Sequence, residues 1–245
     1  VSSHAPLPFR TRWTIDDREQ TGLYLQEFAR LKRLYGDRIE LYVGLEIDYM
    51  DEDQQPANDY FQSLPLDYRI GSVHLLHSTQ GEIVDIDTKP EVFREHVRLH
   101  LGGDLKRVVL AYFDKLMRMI GRGGFDFIGH ADKISYNVSC CEPNILGQQW
   151  YKDKISEYFT FIAEKGAMIE VNTKTLHRNG FLYPNKEHFG LIRTLGIPVV
   201  VNSDAHLPEL INSGRPEALR LLKASGIGAV WQLERGVWTE VPIGE

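Results

Sequence analysis

Cysteine is almost absent from this chain. There are two in 245 residues, and they are neighbours, Cys140 and Cys141. Adjacent cysteines exclude an ordinary disulfide framework, so the cytoplasm is the default compartment and the pair reads as two buried or loop thiols. No apolar run approaches the roughly 20 residues of a membrane span. Val1-Ser2-Ser3-His4 lacks the basic and apolar regions of a signal peptide. Positive charge is in deficit, with 28 Lys and Arg against 34 Asp and Glu and a net charge of -6. That balance argues against a nucleic-acid partner and against an anionic membrane surface. Linkers and internal repeats are missing too. What remains is 42% hydrophobic and 25% charged, an ordinary globular composition whose length suits one (β/α) barrel or two small domains.

Present instead is a repeated event. Val199-Val200-Val201 reads as a strand buried on both faces, and it stops at Asp204 and His206. Helical spacing with Asp16 or Asp17 as cap predicts a helix to Tyr35, ended by Gly36. Strands are expected over 39–47, 68–76, 125–130 and 168–172. Helices are expected over 90–101, from Asp104 through Ile120, over 150–165, over 185–195, and from Pro216 to Gly226. Residues 51–65 and 77–89 read as loops, 133–149 has no clear period, and 227–242 alternates as a terminal hairpin. This βα alternation predicts a single domain over 1–245, of α/β class, built on a parallel sheet that closes.

Polar residues collect where the strands end: His4, Glu46, His74, His130, Asn172, Asp204 and His206. In a barrel those ends share one face, where active sites are built. A single strand-end histidine is usually structural; four, with two carboxylates, make a metal site. Imidazole and carboxylate without thiolate suit zinc, iron or manganese, and six ligands exceed one tetrahedral ion, so two or three divalent metals are expected. Such a site activates water and clamps phosphoryl oxygens, making metal-assisted hydrolysis the leading reading.

Five motifs carry a resemblance: Gly44-Leu45-Glu46, Ser72-Val73-His74, Gly129-His130-Ala131-Asp132, Glu170-Val171-Asn172-Thr173 and Asn202-Ser203-Asp204-Ala205-His206. In this order and spacing, over nearly the whole chain, they resemble the polymerase and histidinol phosphatase (PHP) family. His4-Ala5-Pro6-Leu7-Pro8-Phe9, Gly44 to Tyr49 and the insertion around 77–90 are similar to its histidinol-phosphatase branch. The resemblance implies a distorted seven-stranded (β/α) barrel with a trinuclear metal centre. It implies that Glu46 bridges two metals, that His74 and His130 complete the second metal, that His4 and His206 belong to the third and Asp204 to the first. It further implies hydrolysis of L-histidinol phosphate to L-histidinol and phosphate, a step of histidine biosynthesis, with Glu46, Asp204 and His206 at the reacting centre.

One departure is plain. The family opens on a strand carrying His-x-His, and no His-x-His occurs here. The expectation is that the first barrel strand is absent from this chain, and that roughly 30 to 40 residues, one βα unit and the start of the next strand, lie upstream of Val1. Lys133, Lys174, Arg178 and Arg215 are candidates to hold the phosphate of a small phosphorylated substrate. Each is also the kind of residue that decorates a solvated surface. His177 is a general-acid candidate, while His77, His96, His100 and His188 take surface or helix roles. Two alternatives stay open: a PHP phosphoesterase of other specificity, and a metal-poor, non-catalytic relative acting as a binding module. Oligomeric state is not legible.

Overall fold

A computed structural model describes residues 1–244. The chain order is β1 (Ser2–His4), α1 (Arg18–Tyr35), β2 (Gly44–Asp48), α2 (Asp59–Ser63), β3 (Tyr68–Ser72), β4 (Leu75–His77) and β5 (Ile83–Asp85). There follow α3 (Pro90–Leu99), α4 (Leu105–Arg122), β6 (Phe127–Ile128), α5 (Ile134–Cys141), α6 (Gln149–Glu164) and β7 (Met168–Asn172). The last third holds α7 (Leu176–Asn179), α8 (Phe189–Leu195), β8 (Val199–Asn202), α9 (Arg215–Ala224), β9 (Ala229–Glu234) and β10 (Val237–Pro242). Six strands form one parallel sheet in the order β1-β2-β3-β6-β7-β8. Parallel neighbours need crossovers, and the helices supply them.

Strand alternation sorts the side chains. Leu45, Ile47, Ile128, Ile169, Val171, Val199 and Val201 point outward and are buried. Apart from Leu45 and Ile47, they join the main core with the inner faces of α4, α6 and α8. Ile70, Phe127, Met168 and Val200 point inward at one end of the sheet, where Trp231 and Trp238 of the β9–β10 hairpin cover them. Further along the same inner face the residues become polar: Glu46, Asp48, Ser72, Glu170, Asn172 and Asn202. One face thus carries an apolar floor plugged by the hairpin and a polar layer above it.

The sheet curls without closing. β1 and β8 are its edges, each paired on one side only, so the expected closed ring is corrected to an open six-stranded sheet. Closure needs strand number, tilt and stagger to agree, and six short strands do not come full circle. Other boundaries shift for local reasons. The strand expected over 68–76 breaks after Ser72 because the His74 backbone N–H donates to the Asp48 carboxylate (2.8 Å) instead of to a neighbouring strand. The strand expected from 39 begins only at Gly44. The stretch 77–89 is not bare loop: Leu75–His77 and Ile83–Asp85 pair as an antiparallel hairpin. Asn58 caps a short helix within 51–65, and 134–141 is helical. The Asp17 and Asp104 caps and the terminal hairpin fall where expected. Among the described residues, no helix is long and apolar enough to cross a membrane.

Candidate metal centre

Three neighbouring strands bring Glu46, His74 and His130 together. Glu46 lies mid-β2 on the inner face. His74 follows β3 by two residues and His130 follows β6 by two, so both rings reach the same side. His74 Nε2 is 2.9 Å from His130 Nε2, and Glu46 Oε1 lies 3.0 Å from His130 Nε2 and 3.5 Å from His74 Nε2. His74 Nδ1 donates to the buried Asp48 carboxylate at 2.9 Å, which fixes the ring and turns Nε2 toward the cluster as the atom that would ligate once deprotonated. A carboxylate behind an imidazole in this way orients it as a ligand and raises its basicity.

The surroundings lock these groups in place. Ser72 Oγ donates to Glu46 Oε1 at 2.7 Å. A Cβ on Gly129 would stand 2.5 Å from that hydroxyl, so only glycine lets β6 pass the carboxylate. Glu170, fully buried in β7, accepts the His130 backbone N–H (2.8 Å) and the side-chain amides of Asn172 (3.0 Å) and Asn202 (2.9 Å). His130 and Asp204 both sit at positive φ, +29° and +48°, where β-carbon-bearing residues are strained. Such strain persists only where surrounding structure over-determines the backbone.

The electrostatics are those of a cation site. Burial by itself lowers the His74 imidazole, but Asp48 and Glu46 more than offset it and hold a proton there to about pKa 10. Burial likewise pushes Glu46 up, and His4, His130 and His74 together bring it well below the usual carboxylate range. His4 Nδ1 and His130 Nδ1 are buried with no hydrogen-bond partner. Ligands about 2.1 Å from a tetrahedral zinc stand about 3.4 Å apart. The 2.9–3.5 Å triangle of Glu46, His74 and His130 therefore fits a divalent ion, as do its donor types.

The edge strands supply the remaining candidates less completely. His4, at the end of β1, places Nδ1 3.5 Å from Glu46 Oε2 and stacks edge-on against His74. Asp204, beyond β8, is 3.2 Å from the Asn172 amide and 3.1 Å from Lys174 Nζ. His206 is 60% exposed, bonds its own loop through the Asp204 carbonyl, and does not join the Glu46 cluster. Lys133 is buried, with Nζ 3.1 Å from Asp87 and over the Tyr183 ring. Burial opposes its charge, and Asp87 more than restores it. Burial also pushes Asp87 up, but Lys133, His74 and His130 pull it well below its ordinary range. Arg178 is exposed on α7. Arg215 is committed to the Val201 carbonyl at 2.7 Å, bracing β8.

Reasoning from strand ends missed Asp48, Asp87 and Trp13. Asp48 was within reach, since it sits two residues past Glu46 and must share its face. Asp87 comes from the insertion, and Trp13, edge-on to both His4 (4.9 Å) and His74 (5.7 Å), from the loop after β1. Nothing in their local sequence marks either.

Residues 4–174 match the family model described as PHP domain. A Schizosaccharomyces pombe protein named a probable histidinol-phosphatase is 25% identical over 217 residues, 87% of this chain and 69% of that protein. The crystal structure of a Listeria monocytogenes protein superposes with a TM-score of 0.74 at 21% identity, covering 88% of this chain and 87% of that one. A histidinol phosphate phosphatase from Lactococcus lactis, crystallised with zinc, L-histidinol and phosphate, gives 0.62 at 16% identity, over 89% and 79%. An α/β sheet presenting this histidine–carboxylate cluster, in this company, defines a metal-dependent phosphomonoesterase. With the match spanning well over half of its length, the chain belongs to the PHP domain family.

Proposed function

We propose that this protein hydrolyses L-histidinol phosphate to L-histidinol and inorganic phosphate. The observation that carries the reading is the convergence of Glu46, His74 and His130, backed by Asp48, into one buried ligand triangle. The names of the S. pombe relative and the L. lactis neighbour support the substrate. Two or three divalent ions, drawn from zinc, iron and manganese, are part of this reading. Glu46, His74 and His130 hold one, while His4, Asp204 and His206 contribute from the sheet edges. When bound, such ions supply Lewis acidity toward phosphoryl oxygens and lower the pKa of water.

The chain's own residues do the rest. Asp48 keeps His74 Nε2 aimed inward. Ser72 and Gly129 hold Glu46 in a single position. Lys133, buried, and Lys174, partly exposed, are the cationic partners for phosphate oxygens in this reading, each paired with a carboxylate. Arg178 is a mobile-reach candidate for the same phosphate, and Arg215 serves the framework of β8. Trp13 packs edge-on against His4 and His74 on the β1 side of the centre. The open, curled six-stranded sheet accords with the distorted barrel that the family resemblance implies. Residence in the cytoplasm, without nucleic-acid or membrane partners, accords with the acidic composition.

The test is phosphate release from L-histidinol phosphate beside a panel of sugar phosphates and nucleotides. Turnover of histidinol phosphate well above the panel is expected. Activity on the panel with none on histidinol phosphate would reassign the substrate, and no bound metal with no activity would make the chain a binding module.

A further inference from the structure

A second cleft, of about 700 Å³, opens on the far side of the wall formed by Tyr49, Met50 and Leu76. Tyr49 and Met50 directly follow Asp48 in the chain and Leu76 comes two residues after His74, so the cleft neighbours the metal centre in sequence while none of its lining residues is one of the centre's ligands. Its outer side is one face of α4. Arg107, Ala111, Lys115 and Arg118 recur at helical spacing along it, and His77 of β4 faces them.

The charge balance of this cleft is unusual. Three carboxylates line it, and all are engaged: Asp114 with Lys154, Glu52 with Arg122, and Asp51 with the backbone N–H groups of Asp53 and Gln54. The cations are not engaged. Among the described residues, none of Arg107, Lys115 and Arg118 pairs with a carboxylate, and Lys115, only 8% exposed, donates solely to the Leu75 carbonyl at 2.8 Å; His77, pushed down by burial and by Lys115, adds a neutral imidazole. A buried ammonium without a counter-charge is costly, and like charges three residues apart on one helix face repel. Burial lowers the Lys115 ammonium to about 8, with Arg118 adding to the effect against Asp48 and Asp51. A dianion would relieve all of this at once. Met50, Leu76 and Val108 give the same cleft an apolar side.

We propose that this cleft is a second binding site, for a small phosphate- or phosphonate-bearing organic anion. Arg107, Lys115, Arg118 and His77 hold the dianionic group, and Met50, Leu76 and Val108 hold the organic part. The site is independent of which phosphate ester the metal centre hydrolyses.

The probe is phenylphosphonate, counted by titration calorimetry on the metal-loaded protein. The wild type is expected to bind one equivalent more than the Arg107→Ala/Arg118→Ala variant, or to bind that equivalent at least tenfold more tightly. Phosphatase activity of this variant should be unchanged, since neither arginine touches the metal centre. Lys115→Met should lose the same equivalent, with thermal unfolding confirming that it folds. Equal stoichiometry and affinity in the wild type and the double variant overturns the proposal. Phenylphosphonate bound no more tightly than methylphosphonate overturns the role of the apolar side.

Discussion

The middle of the sheet and its two edges hold their polar residues in different ways. In the middle, Glu46, Ser72, His130 and Glu170 come from strands paired on both sides, and every one is bonded to a residue from another strand. At the edges, His4 ends β1 and Asp204 lies two residues beyond β8, strands paired on one side, though Asp204 still accepts from the Asn172 side chain of β7. His4 Nδ1 has no hydrogen-bond partner, and His206 turns to solvent. The amino acids are of the same kind in both places. What differs is the number of neighbours available to over-determine a side chain, and so to place a ligand before any ion arrives. Where a strand lies in the sheet limits how many neighbouring strands can position its side chains.

The comparison breaks most completely at Glu46. Replacing it by Ala removes the shared corner of the triangle, and activity is expected to fall on the order of 10³-fold or more. Phosphate-release assays and elemental analysis check this, and full metal retention in a Glu46→Ala, His74→Ala, His130→Ala variant would remove the central site. Asp48→Asn tests the outer layer. It keeps shape but loses the charge behind His74, and metal affinity should drop about 10- to 100-fold, with activity regained in excess metal. A structural role alone would give no such rescue.

A pH series sharpens the same point. In the metal-free protein Asp48 and Glu46 hold the His74 proton up to about pKa 10, against an ordinary 6.5 for imidazole. Metal must displace that proton, so affinity at the central site should rise with pH, by up to about tenfold per unit, as His74 deprotonates. For the metal-free fold the sign runs the other way: the raised pKa contributes stability that is full below 6.5 and lost as pH rises through about 10. Chelator competition between pH 6 and 9 measures the first effect and denaturant unfolding of stripped protein the second.

Smaller effects follow. Gly129→Ala forces a methyl onto the Ser72 hydroxyl and should cost about 1–3 kcal/mol of stability, read from denaturant midpoints, with Ser72→Ala relieving part of it. His206→Ala, at an exposed edge position, is expected to lower activity less than tenfold. A loss as large as that of Glu46→Ala would show that the edge sites are assembled as tightly as the middle.

Much of this was legible in one dimension. Alternation of apolar runs with capped helices gave the α/β class and five of the six sheet strands, because buried strands leave apolar runs and helix ends require particular caps; β1, with the sequence Ser-Ser-His, carries no such run. The strand-end polar residues announced a metal site for an equally direct reason: few structural needs place His and Glu there repeatedly. Closure of the sheet was misjudged, since it depends on how far six short strands curl, which no single strand encodes.

The sequence by itself determined which side chains share a face: Glu46 with Asp48, Glu170 with Asn172, and Arg107 with Lys115 along α4. These pairings follow from the fixed periods of strand and helix. Only the tertiary structure decided which of them meet. It joined Asp48 to His74, set Asp87 beside Lys133, and left His206 exposed outside the Glu46 cluster. It also left three cations, Arg107, Lys115 and Arg118, facing one cleft with their carboxylate neighbours already taken. Those outcomes depend on distances between residues tens of positions apart in the chain, and such distances exist only once the whole sheet and its helices have packed.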